Sequence, residues 1–148
     1  MQPEGWLRDV KRLPNWELHL TALIRRSRNR PFKWGSFDCC AFAAEGVVAV
    51  AGFDPFLPWR GKYHLIGQAT AICNAAGGDL LKAAQAHLKW LGVPESKPVT
   101  ARTGDIGAWM GPTSAVLGVV ANEYLAIPQA LGLAFVPLPE CETAWRIG

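Results

Sequence analysis

The chain has 148 residues, half of them hydrophobic and 18% charged, a balance that excludes a disordered, fibrous or low-complexity protein and leaves an ordinary globular domain. A single domain over residues 1–148 with one core is expected, because a chain of this length buries roughly 68–70% of its unfolded surface and needs no metal or disulfide to stand alone. The net charge is only +3.

The first residues carry Glu4, Arg8, Asp9, Lys11 and Arg12, with no apolar stretch ahead of a small-residue cleavage site, so no signal peptide is expected and synthesis is assigned to the cytoplasm. Asn15, after Pro14, is placed to cap a helix that puts Trp16, Leu20, Leu23 and Ser27 on one stripe and runs to about residue 29. The end of that helix is basic, with Arg25, Arg26, Arg28, Arg30 and Lys33. Such a run can recruit anions, but no aromatic-basic pattern accompanies it. It reads as a solvated helix end complementing the C-terminal dipole, not as a nucleic-acid surface.

Pro31 turns the chain extended before the segment Trp34-Gly35-Ser36-Phe37-Asp38-Cys39-Cys40. A helix over 39–50 follows, capped by Asp38 and stopped by Gly52. Its apolar run is broken by Glu45 and is too short for the ~20 residues of a membrane span. Residues 52–61, with Pro55 and Pro58, read as a loop. Two alanine-rich helices come next: one over 65–76, ended by Gly77-Gly78, and one from the cap Asp79 to Leu91, closed by Gly92, with Leu81, Ala84, Leu88 and Leu91 on one face. The helical part thus spans about 15–92.

From Val93 onward short β-type runs replace helical periodicity, around residues 106–110, 116–121, 124–127 and 133–138. The sheet part is assigned to about 99–147, with four or five antiparallel strands. Helices first and strands after give an α+β class, with N-terminal helices packed on a small antiparallel sheet.

Among the four cysteines, Cys39 and Cys40 are adjacent while Cys73 and Cys141 stand alone. No CxxC spacing points to zinc or a redox pair. Cys73 and Cys141 are expected in the core, where free cysteine commonly packs, and neither metal nor cofactor is expected. Cys39 differs, because a thiol in the first turn of a helix is lowered in pKa by the dipole and becomes a candidate nucleophile. Asp38 caps that turn, and Trp34-Gly35 forms a tight, bulky approach to it. A base is harder to find. His19 and His87 lie on helices and read as surface or satisfied core groups, which leaves His64, in Gly61-Lys62-Tyr63-His64, as the candidate.

Trp-Gly, a short spacer and Asp-Cys opening an apolar helix resembles the NlpC-type cell-wall cysteine peptidases, which are papain-like. The resemblance implies that Cys39 occupies the nucleophile position and that Gly104-Asp105 opens the first core strand. It places the catalytic histidine of those enzymes on Val116 and their third polar residue near Ala126, so hydrolysis by that mechanism lacks its base.

The likeness runs from Trp16 to Ile147 and extends to a group encoded in phage and prophage tail gene clusters. Arg60-Gly61-Lys62-Tyr63, Leu117-Gly118-Val119 and the closing Ala144-Trp145-Arg146-Ile147 carry it. It implies a structural protein of the virion, in the tail tip or baseplate of a long-tailed phage, with neighbouring tail proteins as partners. The alternative it implies is an active peptidase or amidase acting on peptidoglycan during genome entry, its base supplied by His64 or by a partner chain.

Overall fold

The computed structural model describes residues 9–148; Glu4 and Arg8, part of the stretch read above for a leader, lie outside the described residues. The described residues form four α-helices followed by a six-stranded antiparallel sheet. α1 spans Trp16–Ser27, α2 Cys39–Ala51, α3 Ile66–Ala76 and α4 Leu80–Leu91. The strands are β1 (Glu95–Ser96), β2 (Ile106–Met110), β3 (Ala115–Ala121), β4 (Tyr124–Gln129), β5 (Gly132–Pro137) and β6 (Thr143–Trp145). Their order across the sheet is β1-β6-β2-β3-β4-β5.

The α+β order expected from the sequence is therefore present, with two strands more than the four runs read from it. β1 and β6, two and three residues long, are too short to carry a period-2 signal. They form only because the chain end returns beside β2, where Ile106 pairs with Trp145 and Ala108 with Thr143. Four helix boundaries follow their punctuation: Asp38 accepts from the Ala41 N–H, Asp79 from the Lys82 N–H, and Gly52 and Gly92 end α2 and α4 in left-handed conformations. Asn15 departs from expectation. It stands at the N-cap position of α1 but adopts a left-handed conformation (φ 61°) and makes no side-chain cap bond.

The sheet is covered on both faces. Leu117 and Val119 of β3 and Ala126 of β4 face α2 in the main cluster, with Phe42, Val47, Leu88 and Trp145. The intervening Val116 and Val120 turn to a second cluster with Leu125, Ile127 and Leu138. Gly46 lets α2 approach β3 closely, because a Cβ there would lie 2.5 Å from the Val119 Cγ2. On α1, Leu20, Leu23 and Ser27 are buried as the stripe predicts. On α4 the buried set is Ala83, Ala84, Leu88 and Leu91, and Leu81, half-buried, packs against the same core.

Candidate functional site

The first turn of α2 is fixed by one buried carboxylate. Asp38 accepts from the Ala41 N–H at 2.8 Å and from the Gly35 N–H at 2.7 Å, and the Tyr63 hydroxyl hydrogen-bonds to it as well. Burial, foremost, pushes the Tyr63 phenol far above its ordinary range, so the hydroxyl stays a donor. Around this point the 60–63 segment clasps the start of α2: Arg60 donates to the Ala41 carbonyl, and the Tyr63 carbonyl lies so close to Gly35 (φ 86°) that an added Cβ would collide with it. Gly35 is required by both contact and conformation.

Cys39 lies half-buried at this turn and opens onto a cleft of about 380 Å³ between the α2 start, the 59–63 loop, α3, the 78–80 turn and residues 113–114. Trp34, Asp38, Cys40, Tyr63 and Cys73 also line it. The helix dipole taken alone lowers the pKa of a thiol at the position of Cys39. The environment acts the other way: burial pushes the thiol up to about 12, the Asp38 charge adds to this, and the N–H groups of Leu117 and Cys40 oppose it only in part. Cys40 is buried and is pushed up in the same direction, chiefly by burial. The dipole loses because it must favour a thiolate that has left water beside a carboxylate.

No histidine lines the cleft. His64 is exposed and lies just outside, its Nδ1 3.2 Å from where a Cβ on Gly35 would stand. His87 is half-buried and spoken for: its Nε2 is 2.6 Å from the Pro55 carbonyl oxygen, and its ring lies 4.9 Å from that of Trp59. His19 is exposed on α1 and borders a different groove. Val116 packs into the second cluster, on the sheet face turned away from α2. The β3 residue that approaches Cys39 is Leu117, through its backbone N–H. A histidine at 116 in this register would point away from the thiol, and Ala126, though it faces α2, carries no polar group.

One further expectation is corrected. Cys73, assigned to the core, is half-buried on α3, a helix with no buried residue, and faces the cleft. Cys141 is half-buried and packs against the second core cluster, its thiol 3.7 Å from the Pro137 carbonyl oxygen. Gly104 and Asp105 lie away from the cleft and build a structural lock. Buried Asp105 accepts from Arg12 Nη2 at 3.0 Å, the Arg102 N–H at 2.9 Å and the Ile147 N–H at 3.0 Å.

Of the basic run, Arg30 is committed to its own fold. It pairs with Glu45 at 3.5 Å, covers the Phe37 ring and donates to the Ser36 carbonyl. Among the described residues no group of three or more His, Cys, Asp or Glu side chains is placed to hold a metal ion, and no helix is long and apolar enough to cross a membrane.

A family profile, described as a domain of unknown function, DUF6950, matches residues 11–147. The chain belongs to that family. Neither a curated protein nor a solved structure matches it.

Proposed function

We propose that this DUF6950 member is a structural component of a long-tailed phage tail tip or baseplate, made in the host cytoplasm and carried in the virion, where an NlpC-type, papain-like domain serves as an assembly adaptor without hydrolysing a bond. One observation carries the non-catalytic part: the cleft onto which the helix-start thiol of Cys39 opens is lined by no imidazole. Acyl transfer needs a thiolate and a group that takes and returns a proton. The described residues bring no such base to this cleft, and burial pushes the thiol up, away from the thiolate. The virion context rests on the sequence likeness to tail-cluster proteins, and the α2-on-sheet arrangement with Cys39 at the helix start agrees with the papain-like part of that likeness.

The competing reading, cleavage of peptidoglycan peptides, is favoured by the half-buried Cys39 opening onto a real cleft. Purified protein and its Cys39→Ala variant, incubated with peptidoglycan stem peptides, separate the two. The adaptor reading expects no cleavage from either protein, and cleavage that depends on Cys39 overturns it. In the virion, Cys39→Ala particles are expected to assemble and infect normally, whereas Trp34→Ala, which opens the cleft wall, is expected to block tail assembly.

A further inference from the structure

Among the described residues that line the Cys39 cleft, two are carboxylates, Asp38 and Asp79, and none is Lys, Arg or His. The chain as a whole carries a net charge of +3, so its basic excess lies elsewhere. Asp38 is buried and engaged with its three donors. Asp79 is exposed at the mouth, with one oxygen accepting from the Lys82 N–H. The thiols are neutral and add nothing to this balance.

The walls are apolar and aromatic, formed by Trp34, Trp59, Ile66, Ile72 and Leu80. The apolar surface continues outward: Ile66 is 62% exposed and its neighbour Leu65 65%. Exposed Thr70, Asn74, Thr113 and Ser114 stand around the apolar centre, where they can meet the backbone of an extended chain. A volume of about 380 Å³ lies at the lower end of the range for ligand sites.

We infer that the cleft receives an extended segment of a partner protein that presents an apolar side chain beside a Lys or Arg, and that it rejects acidic segments. This rests on the adaptor reading and names the chemistry of the partner. The apolar side chain enters between the tryptophan and isoleucine walls and leaves water. The cation meets the Asp79 side of the mouth. An acidic segment finds no cation among the described lining residues and meets the exposed Asp79 carboxylate at the mouth, so specificity arises by repulsion as much as by contact.

The test is an amide NMR titration of the whole protein with two capped tripeptides, acetyl-Leu-Lys-Leu-amide and acetyl-Leu-Glu-Leu-amide. The lysine peptide is expected to shift the Ile72, Cys73 and Ser114 amides saturably, and the glutamate peptide to bind about fivefold or more weakly. Asp79→Lys is expected to erase the preference. Ala69→Trp, which fills the cleft from α3, is expected to abolish binding of both, with the dispersion of the remaining amide signals showing that each variant is folded. Equal affinities, shifts confined to another surface, or no saturable shift with the lysine peptide overturns the inference and leaves the adaptor reading standing. Cys39-dependent cleavage of stem peptides overturns the adaptor reading whichever peptide binds.

Discussion

Asp38 and Asp105 are two of the buried polar residues of the described chain; Asp38 takes its backbone donors from Gly35 and Ala41 close by, whereas Asp105 gathers donors from segments far apart in sequence. For Asp105 these are Arg12, Arg102 and Ile147, so one carboxylate ties the chain end, the β2 entry and the segment before α1. Asp105→Ala strands a half-buried guanidinium and two backbone donors, and is expected to cost about 3 kcal/mol or more in urea unfolding; a loss under 1 kcal/mol would refute this account of the lock. At Cys39 the relevant quantity is reactivity. With its thiol pushed up to about 12, alkylation by iodoacetamide at pH 7.5 is expected to be at least about tenfold slower than in the urea-unfolded chain, rising only in strong alkali. Native labelling at the unfolded rate, located by peptide mass mapping, would show an ionised thiol and return the site to the list of nucleophiles.

At the scale of elements, α2 is the part everything else positions. It is held at its start by the Tyr63 hydroxyl and the Arg60 guanidinium, along its length by the Gly46 contact with Val119, and at its end by the Leu13 N–H, which donates to the Val50 carbonyl. Tyr63→Phe removes only the hydroxyl and is expected to lower stability by about 1 kcal/mol. Gly35→Ala, which faces both the Tyr63 carbonyl and a left-handed backbone, is expected to cost more than Tyr63→Phe. The reverse order in thermal melts would mean that the clasp is not what seats the helix start. α3 is the contrast, a cleft wall with no buried side chain, and its apolar Ile66 is left to solvent or to a partner.

For the whole molecule, burial on both faces of one sheet makes stability sensitive to groups that must stay uncharged. His87 is held below its ordinary 6.5 mainly by burial, which outweighs the favourable Pro55 carbonyl. The native state therefore binds protons less readily than the unfolded chain between the two values. Its contribution is present above about pH 6.5 and is lost as pH falls through the folded pKa. The drop in Tm between pH 7 and pH 5 is expected to be smaller in His87→Gln than in the parent protein; an unchanged drop would assign the acid sensitivity to other groups.

The sequence by itself determined the α+β order, the caps at Asp38 and Asp79, the stops at Gly52 and Gly92, and the place of Cys39 at a helix start. These are local properties, written within a few residues of where they act. What only the tertiary structure decided is non-local. β1 and β6 exist because the chain end docks on β2. Cys73 faces a cleft because α3 has no core to enter. Val116 turns from Cys39 because the pairing of Ile106 with Val119 sets which side of β3 looks at α2. The character of Cys39 was decided in the same way: the dipole that would ionise it is read from neighbouring residues, whereas the burial that keeps it protonated comes from α3, the 60–63 segment and β3 closing around it.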